Sequence, residues 1–172
     1  MEKIQSHLIG EIVSSNSQEA YALNKKSHFG ESVGDKIQYS FSEALFLVGK
    51  GKMDILSRNK KIPKKELLKK LQRFDKRIQI KSSVFKDLRE RGYVVKTALK
   101  FGADFRVYPK GSKPGKKHSK WIVFTDSETN KLTWHDFSAK NRVAHSTKKN
   151  LLLAIVDEEG SVSYYEVSWL KP

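Results

Sequence analysis

The run Leu151-Leu-Leu-Ala-Ile-Val156 sets the first limit on how this chain can fold. An unbroken aliphatic stretch shows neither the period of two of a half-buried strand nor the 3.6 period of an amphipathic helix. It reads as a strand buried on both faces, which needs a covering layer on either side. The run is also far too short to cross a bilayer. A mixed α/β arrangement with helices against a sheet is the class that accommodates it.

The rest of the chain supplies the parts. Residues 7–23 read as a hairpin, His7 to Val13 and Ala20 to Leu23 around a polar turn at Ser14 to Gln18. A short strand is expected at Lys36 to Tyr39, and Ser40 or Ser42 can cap a helix over Glu43 to Val48, closed by Gly49 and Gly51. Met53 to Leu56 reads as a strand. Pro63 opens a Lys-rich helix, Lys64 to Phe74, with Leu67, Leu68 and Leu71 on one face. A second helix covers Arg77 to Arg91, its stripe being Ile80, Val84, Phe85 and Leu88 and its stop Gly92. Extended segments follow at Tyr93 to Thr97, Asp104 to Tyr108, Lys120 to Thr125 and Leu151 to Val156, with a helix over Thr133 to His145. Asp157-Glu-Glu-Gly160 turns the chain into a last strand, Ser161 to Trp169. The change of character near residue 75 divides the chain into a domain of residues 1–75 and a domain of residues 76–172. The fold class is α+β (mixed α/β).

Charge narrows the partners. Lys and Arg number 34 against 19 Asp and Glu, a net +15 in 172 residues. An excess of that size favours a polyanion, because each phosphate neutralised releases a condensed counterion. The lysines are spread through folded segments and not gathered beside an apolar anchor, so no membrane partner is expected. The chain has no cysteine, which excludes disulfides and thiolate metal sites. Met1-Glu2-Lys3-Ile4 leads into polar sequence without the apolar core of a signal peptide, so the expected location is cytoplasmic.

Tyr108, His118 and Lys149 could supply a base, an acid and a cation for cutting RNA, whose own 2′-hydroxyl is the nucleophile. Tyr108 ends an extended segment before the loop Pro109-Lys-Gly-Ser-Lys-Pro-Gly115. Its plainer role is a strand tyrosine half in the core. His118 can protonate a leaving oxygen near neutrality, or simply be a surface histidine; His7, His28, His135 and His145 are its rivals. Lys148 and Lys149 stand before the Leu151 run, where a lysine can reach a phosphate or merely balance a helix dipole. Arg142 and Trp169 have the planes to hold an unstacked base between them. No histidine pair or carboxylate cluster offers a metal shell, and neither a metal nor any cofactor is expected.

Several ordered stretches carry a resemblance. Asp87-Leu-Arg-Glu-Arg-Gly-Tyr-Val-Val-Lys-Thr97, Lys100-Phe-Gly-Ala-Asp-Phe-Arg-Val-Tyr108, His118-Ser119 and Arg142-Val-Ala-His-Ser-Thr-Lys-Lys-Asn-Leu-Leu-Leu-Ala-Ile-Val-Asp157 resemble the archaeal tRNA-splicing endonuclease family. His28-Phe-Gly30 and Tyr39-Ser-Phe-Ser-Glu-Ala-Leu-Phe-Leu47 extend the likeness toward the start. The resemblance implies a small N-terminal α/β domain and a nuclease-like C-terminal domain on a mixed sheet flanked by helices. It implies metal-independent removal of introns from precursor tRNA at a bulge-helix-bulge, leaving 2′,3′-cyclic phosphate and 5′-hydroxyl ends. The family's catalytic tyrosine, histidine and lysine match Tyr108, His118 and Lys149; its base-clamping arginine matches Arg142, and Trp169 falls at the place of the partner, on an opposing subunit. The family also implies pairing through the last strands and tetramers in which an acidic loop, here Asp157-Glu158-Glu159, enters a basic pocket of another pair. Asn150 departs from the basic residue that relatives often carry there.

The expected function is therefore a tRNA-splicing endonuclease acting on precursor tRNA as a homotetramer, or as a heterotetramer with a structural subunit. The alternative is a non-catalytic basic RNA-binding or assembly subunit of the same complex. A metal-dependent DNA nuclease of similar fold fits poorly, since the chain shows no clustered Asp/Glu/Lys site.

Overall fold

Strict alternation opens the chain. Ile4, Ser6 and Leu8 are buried while Gln5, His7 and Ile9 face out, the signature of a half-buried strand, β1 (Ile4–Ile9). The computed structural model describes residues 2–172. The chain divides into two compact units, with the division between Ser82 and Ser83.

In the first unit, β1 turns straight back into β2 (Ile12–Ser15), with Ile9 paired to Ile12. Gly10, at φ 59°, takes the first turn position, where a type II′ turn requires glycine. The expected hairpin over residues 7–23 is thus corrected: its turn lies at Gly10-Glu11, and Ala20 to Leu23 belong to a helix, α1 (Gln18–Ser27). The Ser17 hydroxyl decides this, accepting a hydrogen bond from the Ala20 amide at 3.3 Å and capping a helix whose Ala20 and Leu23 fall three apart on the buried side. Next come β3 (Glu31–Val33), β4 (Lys36–Tyr39) and α2 (Phe41–Gly49). Ser40 caps α2 in a reciprocal box: its hydroxyl accepts from the Glu43 amide, and Glu43 Oε2 accepts from the Ser40 amide at 2.9 Å. Glu43 Oε1 also accepts from the Gly30 amide at 2.8 Å, and a Cβ at Gly30 would lie 2.4 Å from the Ile37 side chain. That bond ties the His28-Phe-Gly motif to the Tyr39–Leu47 motif, and only glycine fits there. β5 (Met53–Ser57), β6 (Lys60–Lys61) and α3 (Lys64–Gln72) complete the unit. Its sheet runs β3-β4-β2-β1-β5-β6, antiparallel except for the β1–β5 pair.

The helix α4 (Ile78–Glu90) carries the chain into the second unit. It ends as expected at Gly92, φ 90°, in a Schellman closure: the Gly92 amide bonds Arg89 O and the Tyr93 amide bonds Leu88 O, both at 3.1 Å. The second sheet contains β7 (Val94–Ala98), β8 (Ala103–Tyr108), β9 (Trp121–Ser127), β10 (Asn150–Val156) and β11 (Val162–Val167), with α5 (Trp134–Ser146) between β9 and β10. Strand order is β11-β10-β9-β8-β7. Only β9 and β10 are parallel, and α5 is the crossover a parallel pair demands.

Helices cover both faces. Phe85 of α4 meets Phe105 at 5.8 Å between ring centroids, while Ala98, Ala103 and Ile122 pack with Val143 of α5. The aliphatic run forms β10, beside the edge strand. Leu152, Ala154 and Val156 are buried, but on the other face Leu153 and Ile155 are half-buried, so double-sided burial holds only in part. The last strand stops at Val167, and Trp169 lies in the tail after it, not in the strand.

Candidate active site

Register brings the expected residues to one end of the second sheet. Val107 on β8 pairs with Trp121 on β9, which pairs with Asn150 on β10. Since β8 opposes β9 while β9 and β10 run together, the end of β8 and the starts of β9 and β10 share one edge. Tyr108 is the last residue of β8, and Lys149 immediately precedes β10. His118 lies in the loop that enters β9 at the same edge.

Alternation also fixes the face. Phe105 and hence Val107 look toward α4, so Tyr108 looks the other way. Asn150 donates to Glu166, and Tyr164, two residues along β11, donates from its hydroxyl to Asp87 of α4 at 2.7 Å. Asn150 therefore shares the α4 face, and Lys149 falls with Tyr108 on the α5 side. Tyr108 is buried, 5% exposed, whereas His118 is exposed and Lys149 half-buried.

The backbone around each residue is closely specified. The Pro109–Lys120 loop is folded by successive turns, the Ser112 amide bonding Pro109 O at 3.0 Å and the Lys117 amide bonding Lys113 O at 3.1 Å. The Lys120 amide then rejoins the sheet at Val107 O, 2.9 Å. Lys149 is set by the end of α5. There the Lys148 amide bonds His145 O at 3.0 Å and the Lys149 amide bonds Ala144 O at 2.9 Å, the same Schellman closure that Gly92 makes after α4. The left-handed position at φ 53° is held by Lys148, a residue with a Cβ. In this arrangement Lys149 Nζ donates to Thr147 O at 3.1 Å, a lysine on the negative end of a helix.

The edge is rich in cations seated on aromatic rings. Lys110 lies 5.1 Å from the centre of the Tyr93 ring and Lys120 4.6 Å from that of Trp121. A hydrogen-bond lattice that sequence reading misses holds this edge from the α4 face: Trp121 Nε1 donates to Glu166 at 3.1 Å, and Asn150 donates to the other Glu166 oxygen. These bonds, with the charge of Lys120, hold the Glu166 carboxyl below the usual carboxylate range. Asn150 thus has a structural partner; the only sequence signal is its departure from the family pattern.

The expected clamp joins opposing subunits, but within one chain Arg142 and Trp169 already border the same space. Both line a cavity of about 590 Å3 between α5 and the C-terminal tail, and a smaller adjoining one of about 280 Å3 contains Lys149 and Trp169. Trp169 meets the His145 ring edge-on at 4.6 Å, so His145, a rival acid on sequence alone, is the neighbour of the indole. The acidic turn lies at the opposite end of the sheet, between Val156 and Val162. It is a defined turn: the Asp157 amide bonds Ser161 O at 3.0 Å, and Asp157 Oδ1 accepts from the Ser161 amide at 2.8 Å. Among the described residues no cluster of three His, Asp or Glu side chains is placed to hold a metal ion, and no helix is long and apolar enough to cross a membrane.

Comparison with known proteins agrees with this layout. The pattern of the tRNA intron endonuclease catalytic C-terminal domain matches residues 78–164, and that of the tRNA intron endonuclease N-terminal domain matches residues 4–68. A tRNA-splicing endonuclease of Pyrococcus horikoshii is 41% identical over 98% of this chain and 97% of its own length. One from Methanothermobacter thermautotrophicus is 36% identical over 99% of each. One from Nanoarchaeum equitans is 44% identical over 76% of this chain and 87% of its own. The N-terminal and catalytic domain patterns occur in the order of the two units, and the chain belongs to the tRNA intron endonuclease family.

Proposed function

We propose that this chain is a tRNA-splicing endonuclease that cuts precursor tRNA at both intron boundaries within a bulge-helix-bulge. The observation that carries the reading is the meeting of the Tyr108 strand end, the His118 loop and the Lys149 strand start at one basic sheet edge in a member of this family. In the mechanism, Tyr108 takes the proton of the 2′-hydroxyl, whose oxygen attacks the adjacent phosphorus in line. Lys149 leaves the Thr147 carbonyl to meet the phosphorane, where charge develops. His118 gives a proton to the departing 5′-oxygen. The products are a 2′,3′-cyclic phosphate and a 5′-hydroxyl, and no step draws on a metal. Arg142 of one subunit and Trp169 of an opposing one hold a bulge base by stacking. The assembly is a homotetramer, or a heterotetramer with a structural subunit, in which β11, an edge strand with Tyr165 exposed, pairs with its counterpart.

The burial of Tyr108 is the one observation favouring the alternative, a non-catalytic RNA-binding or assembly subunit, because a base must reach its proton. One experiment decides between them. The purified chain is given precursor tRNA in EDTA, with either a ribose or a 2′-deoxyribose at the splice site. Cutting of the ribose substrate alone is expected. Efficient cutting of the deoxy substrate overturns the mechanism, and no cutting of either assigns the chain to the non-catalytic class.

A further inference from the structure

A basic groove in the first unit takes no part in the chemistry above. It encloses about 950 Å3 and runs between the tip of the β1–β2 hairpin, the β5–β6 hairpin and α3. Arg58, Lys60, Lys61 and Lys70 line it, against Glu66 as the one acid. From Arg58 to Lys81 the only acidic residues are Glu66 and Asp75, so the bias extends along the segment that forms the groove's wall.

Two of the cations are held by side chains of β5. Lys61 is ion-paired with Asp54 at 2.9 Å, and Lys70 donates to the Ser57 hydroxyl at 3.2 Å, which points both stems along β5. Arg58 and Lys60 are both exposed at the tip. The tip itself is strained. Arg58 at φ 49° and Asn59 at φ 60° form the two-residue turn joining Ser57 to Lys60. A turn with both residues left-handed is normally built from Asn-Gly or Gly-Gly, and an arginine there costs on the order of 1 kcal/mol. Strain of this kind concentrates where a side chain is needed for function. Here the side chain is a guanidinium, the group best shaped for phosphate.

We propose that this groove is a second RNA-binding site, which grips the phosphate backbone of the substrate without regard to sequence and contributes to affinity but not to bond cleavage. The proposal rests on the reading that precursor tRNA is the substrate. It assigns the Lys-rich α3 segment a ligand of the same chemical class as the active-site edge, and it distributes the binding charge over both units.

The test uses the full-length protein carrying Arg58→Asn, Lys60→Gln and Lys70→Gln together. Asparagine tolerates the left-handed turn, and the amide introduced by Lys70→Gln keeps a donor for Ser57, so thermal unfolding should match wild type. Binding of intact precursor tRNA is measured across a salt series, with single-turnover cleavage at saturating enzyme and native mass recorded alongside. Affinity should fall at least about tenfold at low salt, and the slope of log K against log salt should shrink by roughly 2 to 3, as for three lost phosphate contacts. The saturating rate should stay within about twofold of wild type. Unchanged affinity and slope would overturn the proposal, as would a rate that fell at saturation. A loss of native mass with RNA affinity following it would also overturn it, assigning the groove to an acidic segment of another copy. Binding and its salt slope do not depend on cleavage. A wild-type chain that bound in this way but did not cut would refute the proposed activity and leave the groove standing.

Discussion

At the scale of single residues, the contrast between Gly92 and Lys148 is the most instructive. Both occupy the left-handed position of a Schellman closure, one after α4 and one after α5. Glycine takes that conformation without penalty, while a residue with a Cβ is strained by about 1 kcal/mol. Lys148→Gly should therefore raise stability by up to about 1 kcal/mol, read by thermal or denaturant unfolding, and leave the saturating cleavage rate near wild type. Lys149→Ala should instead slow single-turnover cleavage by roughly 3 kcal/mol, on the order of a hundredfold, the scale of one lost charge at a developing oxyanion. Equal rate losses from the two changes would reject the assignment of Lys149. Trp169 has its own check. Stacking is worth roughly 1–3 kcal/mol per base, so Trp169→Ala should slow cutting of bulged RNA far more than it weakens plain duplex binding. Normal cutting would reduce the indole to a packing partner of His145. Tyr108, His118, Lys149 and Arg142 stand out in the sequence as candidates because each sits inside a motif that resembles the family's, and their roles belong to the proposed function. The placement of Trp169 against His145 is not legible there, since nothing local in either segment encodes a contact between ring systems so far apart along the chain.

At the scale of elements, legibility follows the strength of local signals. α2, α4 and α5 are readable because their caps are written in the sequence: Ser40 with Glu43, Gly92, and Thr133, whose hydroxyl accepts from the Asp136 amide at 3.1 Å. The first hairpin is misread from sequence because Gly10 lies inside an apolar run, where it looks like strand interior, and because Ser17 is a cap hidden among other polar residues. The Glu166 lattice is invisible for a different reason: it joins β9, β10 and β11, and its register exists only once the sheet has formed. That lattice makes a prediction about pH. Trp121 and Asn150 donate to the ionised carboxylate and depress its pKa, so its stabilisation is present above the ordinary carboxylate range and is lost as pH falls through the lowered value. Because Glu166 is largely solvent-facing, the effect is small and screened by salt. Wild type should be more stable than Glu166→Gln at about pH 6, and the gap should close as pH falls toward about 3. A gap independent of pH would show that the lattice is held by shape and not by charge.

At the scale of the whole molecule, the proposed function asks a chain of net charge +15 to bind RNA and also its own copies. Like charges repel at the distances over which subunits approach, and a compact assembly needs a local patch of opposite sign. Composition favours a polyanionic partner but says nothing of where the exceptions to the positive charge lie. The structure supplies one: the turn between β10 and β11 gathers Asp157, Glu158 and Glu159, with the Glu158 amide donating to the Glu128 carboxylate at 3.2 Å. The turn keeps its shape through backbone bonds and through Asp157 Oδ1, so it projects as a formed knob and not as a loose loop. It also lies at the far end of the sheet from Tyr108 and Lys149, where acid would repel substrate least. We expect this knob to hold pairs of subunits together in a tetramer. Glu158→Ser and Glu159→Ser remove two exposed charges while leaving Asp157 to close the turn, so the fold and the β11 pairing should survive. Native mass should then shift from tetramer to dimer, more so at low protein concentration, and cleavage of precursor tRNA should fall with it. Raising salt should have the same effect on the wild-type protein, because the contact is between opposite charges. A wild-type mass insensitive to salt, or a double variant that stays tetrameric at low concentration, would return this turn to the common fate of acidic turns, a solvated link between two strands.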